Sequence, residues 1–380
     1  MSKVMIFGTG KIARGFIGQL MFLSHVETVF VDVSEMLVEQ MKTRGKYTVH
    51  VLGAPDKDSV VSGYKVYHIS QVEALCNEAK DIQNFFTAMG GKNLEQAAPV
   101  IARIVNAANK PVNVITCENW KEPAAILEKK AHEIYSDIKA GFAESVVMRS
   151  AIEPDEAQKR EDPLTVNVQN YWHLPIDGSK LLAALPEVPE LEPIENFRGF
   201  LERKFYTYNV ANGTVSYVGS LLGLTHISEA AYDERVSEIL ERVYTETGMM
   251  LSKKHGISFD DQMKFAATSR NKLRDRVIVD TLERNARDPL RKLGPNDRLV
   301  GPAKLCIEYG IVPEAVAEAI ACAVYYDNPE DASAEQLRHI REEQGAAGVL
   351  KQICMLSEDD VLYKLVLEKV EVIRGKGWIK

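Results

Sequence analysis

The stretch that decides the fold is KVMIFGTGKIARGFIG, residues 3–18. Residues 3–7 form a short apolar, partly β-branched run, which predicts a buried strand. The loop Gly8-x-Gly10-x-x-Ala13 follows at once, and Ile12, Phe16 and Leu20 then recur at spacing four, which predicts a helix. A second strand, VETVFV at 26–31, closes on Asp32. Strand, glycine turn, helix start and an acid after the next strand together form the setting of a dinucleotide site. Gly8 suits the tight turn, Gly10 a close approach of backbone to pyrophosphate, and Ala13 close packing of helix on strand. The unpaired N–H groups of the helix start attract an anion. Phe7, Gly8, Thr9, Gly10, Lys11, Ile12 and Ala13 are therefore the candidate cofactor contacts. Asp32 would accept hydrogen bonds from ribose hydroxyls and repel a 2′-phosphate, which favours NAD over NADP. The alternatives are a glycine turn that binds nothing, or one that binds another nucleotide such as FAD.

Further along, Ser34 is placed to cap a helix with Met36, Leu37 and Met41 on its apolar side. Residues 46–52 and 59–69 alternate apolar and polar and predict extra strands, arranged as a hairpin. IQNFFTA at 82–88 and VNVIT at 112–116 read as buried strands, each followed by a helical pattern, 93–107 and 120–136, with a further strand at 140–148. Such β–α alternation predicts a mainly parallel, doubly wound, Rossmann-type sheet. Its ligand crevice lies at the carboxyl ends of the strands. That adds Thr87, Ala88, Glu118 and Asn119 to the cofactor candidates, although Glu118 and Asn119 suit helix capping equally well. Residues 151–195 are proline-rich, with one alternating strand at 164–171. From Glu195 onward only helical patterns remain. The expected division is an α/β domain over 1–194 and an all-α domain over 195–380.

The 380 residues are 46% hydrophobic and 26% charged, ordinary globular usage that excludes a largely disordered chain. A net charge of −8 argues against nucleic acid or an anionic membrane as partner, while leaving room for a local basic pocket. No apolar run approaches the roughly 18 residues of a membrane span, and the glycine-rich, cationic N-terminus does not resemble a signal peptide. Five scattered cysteines without CxxC spacing read as reduced thiols, neither a disulfide framework nor a metal site. Cytoplasmic location is the expectation, with a monomer and a homodimer both open.

In the helical half, LERKFYTYNVAN carries Lys204, Tyr208, Asn209 and Asn212. On a regular helix Asn209 lies about 140°, Asn212 about 80° and Tyr208 about 40° from Lys204, so all share one face. A buried Lys has a lowered pKa, which suits a general base. The alternative is a solvated face, because Glu202, Arg203 and Lys204 form a charge run. A second basic cluster, Arg287 to Arg298, contains Arg291 and Lys292 and suits a phosphate or carboxylate. It equally suits an internal ion-pair network with Asp288 and Asp297.

With GTGKIARGFIG at 8–18, TCEN at 116–119, GFAESVVMR at 141–149, LERKFYTYN at 201–209, RDPLRKLGPNDRL at 287–299 and CIEYG at 306–310, nearly the whole chain resembles the polyol-specific long-chain dehydrogenases. The match is to their sugar-phosphate branch. The resemblance implies a metal-independent NAD-linked oxidoreductase interconverting a polyol phosphate (mannitol 1-phosphate-like) and a ketose phosphate (fructose 6-phosphate-like). The active site would lie between a Rossmann-type domain and a helical domain. It implies Lys204 as general base and Asn209 at the reacting oxygen, helped by Asn212. Arg291, Lys292 and Arg298 fall on the substrate side, with Arg14 and Glu144 as further candidate contacts. Two departures stand out: Asn212 replaces the family's His, and Glu144 and Met148 replace an Asn or Asp and an acid. They leave a hexuronate reductase, or an NAD-binding homologue without catalysis, as alternatives. His226 and His255 are the histidines available to stand in for the missing one.

Overall fold

A computed structural model describes residues 2–379. The chain divides into two compact units, Met1–Phe197 and Arg198–Lys380. The first is built on twelve strands, in chain order β1 (Lys3–Phe7), β2 (Glu27–Asp32), β3 (Lys46–Leu52), β4 (Ser59–Ser62), β5 (Lys65–His68), β6 (Asn84–Thr87), β7 (Val112–Thr116), β8 (Ala140–Glu144), β9 (Ala151–Ile152), β10 (Val166–Gln169), β11 (Leu174–Asp177) and β12 (Leu191–Ile194). Six of them form one sheet in the order β5-β2-β1-β6-β7-β8, every pair parallel. This is the doubly wound order, and it reverses between β1 and β6.

Period-two alternation makes the sheet two-faced. Val4 and Ile6 of β1 join a core with Phe16, Ile17, Tyr47 and Val166, while Met5 and Phe7 join the opposite core with Leu94, Ile101 and Leu127. The first helical segment is tight against its neighbours: a Cβ on Gly15 would sit 2.7 Å from side-chain carbons of Val166 and Val168, and one on Gly18 2.6 Å from the Tyr47 hydroxyl. Only glycine fits there.

Ser34 is the expected cap, its Oγ accepting the Leu37 amide at 3.3 Å. Met36 on that helix is exposed and Val38 buried beside Met41, so the apolar face is narrower than expected. The expected strand 59–69 breaks at Gly63, whose φ is +74°. β4 pairs antiparallel with β3 as a hairpin, but β5 crosses to the edge of the main sheet beside β2. The proline-rich middle supplies β9 and β10, which complete a second sheet in the order β4-β3-β10-β9, and the separate pair β11-β12.

The second unit is helical. Its central helix, Glu314–Val324, is apolar all round and buried from Ala315 to Val324. The buried Glu246 carboxylate caps it, accepting the Ala315 amide at 2.8 Å and the Val316 amide at 3.1 Å. Phe197–Lys204 runs through a π-helical turn, Phe205–Asn209, into Val210–Leu221. A second π-helical stretch, Ala13–Gly18, follows the glycine loop. π-turns carry one residue more per turn than the α-helix and occur frequently at functional sites.

Candidate functional site

The crevice where the strand order reverses is a cavity of about 850 Å³ in the first unit. Phe7, Gly8, Gly10, Lys11, Ile12, Asp32, Ala88, Glu118 and Asn119 line it, all residues expected there. Gly8 has φ +106°, and a Cβ there would lie 2.4 Å from the Ala88 carbonyl oxygen. A Cβ on Gly10 would meet nothing of the protein closer than that same oxygen at 3.9 Å. Gly8 is thus required by the chain itself, and Gly10 leaves open space in front of its backbone. The Arg14 amide donates to Gly10 O at 3.0 Å as the helix begins, so the amides of Lys11, Ile12 and Ala13 precede the helical ladder and remain available to an anion.

Asp32 does more than face the cavity. Its Oδ2 accepts the Thr9 amide and the Thr9 hydroxyl, both at 2.7 Å, and its Oδ1 accepts the Ser34 amide at 2.9 Å. A carboxylate has about four acceptor positions, so these three donors fix its plane and leave it one position for a ligand. Glu118 behaves alike: its two oxygens accept the Met89 amide at 3.0 Å and the Gly90 amide at 2.9 Å. It therefore ties the loop after β6 to the loop after β7. Ala13 is buried in the helix–sheet contact and Thr87 in the sheet, and neither lines the cavity. Val33, Leu37, Ile69, Asn93 and Val100 also line it. Sequence reasoning missed them because they come from the ends of four separate segments.

Arg14, expected to touch substrate, is instead buried. Its Nη1 donates to the Thr9 carbonyl and its Nε to the Leu164 carbonyl at 3.2 Å, so it braces the glycine loop from behind. Glu144, half-buried at the end of β8, does not line the cavity either; burial, with Glu122 and Asp177 nearby, raises its carboxyl pKa. Cys117 lines the cavity as an inert thiol, pushed up to about 12 by burial.

In the second unit, Lys204 ends the first helical segment and its pKa is lowered, by burial and by Arg298. Lys272, which the sequence reading passed over, is pushed down to about 8 by burial and by Lys204. Lys292 is pushed down to about 8 by burial and by Arg298 and Arg291. These cations thus crowd one another within the helical unit. Arg291 is ion-paired, Nε to Asp288 at 2.6 Å and Nη1 to Asp297 at 3.1 Å, and the Arg298 Nε reaches Asp297 at 2.9 Å. The internal network anticipated as the alternative therefore exists for the two arginines. Lys292 lies outside it, donating to the Asn285 carbonyl at 2.6 Å. Asn212 donates from Nδ2 to Asn285 Oδ1 at 2.9 Å. Asn209 closes the π-turn, and the Tyr208 hydroxyl bonds Thr268 Oγ1 at 2.5 Å. The extra residue in that turn breaks the 100° arithmetic that placed the asparagines and Tyr208 relative to Lys204.

Neither candidate histidine replaces the missing one. His255 Nε2 is 2.8 Å from Glu202, and His226 sits at a helix N-cap with its ring on the Thr225 hydroxyl at 2.8 Å. Among the described residues, no group of three or more His, Cys, Asp or Glu could hold a metal, and no helix is long and apolar enough to cross a membrane.

The titrating groups predict how stability depends on pH. Burial holds the thiols of Cys117, Cys306 and Cys354 up at about 12, and Cys322 is raised as well, against about 8.5 in the unfolded chain. That contribution is complete below about pH 8.5 and lost as pH rises through the folded values. Lys272 and Lys292, lowered to about 8, oppose it until the unfolded lysines titrate near 10.4. The buried tyrosines Tyr47, Tyr217 and Tyr244, all raised, reinforce the loss above pH 10. Melting temperatures measured between pH 8 and 10.5 should therefore fall; a rise would show that the lysines dominate.

Comparison with known proteins gives one consistent picture. A family model described as the mannitol dehydrogenase Rossmann domain matches residues 2–190, and one described as the mannitol dehydrogenase C-terminal domain matches residues 196–372. Among solved structures, a D-sorbitol dehydrogenase in substrate-free form is 13% identical with a TM-score of 0.77, covering 99% of this chain and 93% of its own. A Pseudomonas fluorescens mannitol 2-dehydrogenase, solved with NAD and D-mannitol, is 14% identical with a TM-score of 0.64, covering 99% of this chain and 92% of its own. At such identities these likenesses speak to the fold.

Proposed function

The chain belongs to the mannitol dehydrogenase family, and from that premise we propose that it is an NAD-dependent oxidoreductase interconverting a polyol phosphate and a ketose phosphate. The observation that carries the phosphate is the crowding of Lys204, Lys272, Lys292 and Arg298. The lysine pKa values stay depressed although Asp275, Asp288 and Asp297 lie within electrostatic reach. Buried like charges that destabilise one another are relieved by a bound dianion.

The first unit's cavity fits the coenzyme. The glycine loop and the amides of Lys11, Ile12 and Ala13 would hold the pyrophosphate, and the remaining acceptor position of Asp32 a ribose hydroxyl. NAD, when bound, supplies the hydride acceptor. Lys204, neutral more readily than an exposed lysine, takes the hydroxyl proton at Nζ as the substrate is oxidised. Asn209 donates to the oxygen on which negative charge develops. In ketose reduction Lys204 returns the proton. Lys292 and Arg298 bind the phosphate.

A substrate panel tests this reading. NADH formation should be faster, by at least about 100-fold in kcat/KM, with a hexitol phosphate than with the free hexitol, as two charge-assisted hydrogen bonds would give. Equal rates with the free polyol, preference for mannonate or fructuronate, or NAD binding without any turnover would each overturn it. Inorganic phosphate supplies an independent check. By raising the lysine pKa values it should draw protons onto the protein at pH 8–8.5, seen by calorimetry in buffers of different ionisation enthalpy. Lys292→Met should reduce the uptake.

A further inference from the structure

The direction in which Asn212 points is fixed by a chain of polar groups that can be read in only one sense. The Thr281 carbonyl can only accept. Asn285 Nδ2 donates to it at 2.9 Å, which turns Asn285 Oδ1 the other way. That oxygen accepts Asn212 Nδ2 at 2.9 Å. Turning the Asn285 amide over would set two acceptors against each other at Thr281 and two donors against each other at Asn212, losing both bonds. The anchor is itself held. Thr281 Oγ1 caps the helix Leu282–Ala286 by accepting the Arg284 amide at 3.2 Å, and Thr281 makes a β-bridge with His226. Asn212 is left with its carbonyl oxygen unengaged among the described residues. Lys292 Nζ donates to the main-chain oxygen of the same Asn285, at 2.6 Å.

We propose that Asn285 is a positioning residue that holds the Asn212 amide with Oδ1 outward, so that position 212 accepts a hydrogen bond from a hydroxyl of the polyol chain. This rests on the functional reading above, in which Asn212 and Lys292 face the substrate, and it deepens that reading. A neutral histidine at 212 could present either a donor or an acceptor nitrogen. The amide locked by Asn285 presents the acceptor, and so selects a carbon bearing O–H over one bearing a carbonyl. The hydroxyl recognised is therefore one beside the reacting carbon, which stays protonated in both directions of the reaction. Because Lys292 is tied to the same residue, the span from hydroxyl to phosphate is set by one short segment, Thr281–Lys292.

The test is a double-mutant cycle on the purified enzyme with the hexitol phosphate and NAD. Asn285→Leu should raise KM for the polyol phosphate roughly tenfold, one hydrogen bond to a hydroxyl, with kcat changed by less than about threefold. Asn212→Ala should raise KM by a similar factor, and adding Asn285→Leu to it should cost nothing more. Asn285→Asp, which keeps an acceptor facing Asn212, should restore most of the affinity. Inhibition by inorganic phosphate should be unchanged in Asn285→Leu, because Lys292 bonds the main chain. Asn285→Ala must repeat the pattern, which keeps the test alive if the leucine variant misfolds. An additive cycle, an unchanged KM, or failure of the aspartate variant to recover would overturn the proposal while leaving wild-type turnover, and the functional reading, intact. A wild type that turns over no polyol phosphate overturns both.

Discussion

Lys204→Met is expected to remove turnover while coenzyme affinity stays within about threefold of the wild type. A positioned general base contributes typically 10²–10⁴-fold, so kcat should fall by at least about 100-fold. Methionine keeps the apolar stem and deletes the amine. The loss is not one of folding, and the electrostatics say why. Burial and Arg298 already lower the Lys204 pKa, and Lys204 in turn lowers that of Lys272. Removing its charge relieves that repulsion, so the variant should melt at or above the wild-type temperature. Steady-state NADH absorbance gives kcat, and calorimetry gives the coenzyme Kd. A kcat within threefold of the wild type would remove Lys204 from the mechanism.

The two glycines of the loop should fail in different ways. Gly8→Ala forces a Cβ to 2.4 Å from the Ala88 oxygen at a φ of +106°, so β1 and β6 must move apart or the turn must rearrange. We expect a loss of about 2–4 kcal/mol in stability, with coenzyme binding lost as a consequence. Gly10→Ala meets only ordinary contact within the protein, at 3.9 Å. Its melting temperature should be unchanged, and any fall in NAD affinity then comes from the Cβ meeting the ligand. About tenfold or more is expected if the pyrophosphate lies against that backbone. Thermal melts alongside NAD titrations separate the two; an unaltered melt for Gly8→Ala would contradict the packing described.

The N-terminal unit was legible because its signals are local. Alternation in KVMIF, glycine spacing, Asp32 at the end of the next strand and Ser34 as a cap each depend on a few neighbouring residues. What escaped depends on tertiary contact. The break at Gly63 sends β5 to a sheet edge that periodicity does not register. Arg14 looks like a substrate cation until its guanidinium is seen on two main-chain carbonyls. Lys272 and Asn285 lie 68 and 73 residues from Lys204 and Asn212, and no pattern along the chain joins them. The short helices Leu282–Ala286, Pro289–Lys292 and Val300–Glu308 carry too few turns to show a period, yet the first two hold Asn285 and Lys292. His226 and His255 had seemed able to compensate for Asn212; their bonds to Thr225 and Glu202 occupy them elsewhere.

The widened turn at Phe205–Asn209 has a bearing on which length changes this protein tolerates. Excising one residue there would let the segment relax into an ordinary α-helix with its buried apolar stripe nearly as long as before. Everything downstream would then rotate by about 100° about the helix axis, swinging Asn212 away from its amide partner. Insertions and deletions in surface loops leave such relationships untouched, whereas a single codon lost at this bulge would yield a folded protein with its polar constellation out of phase.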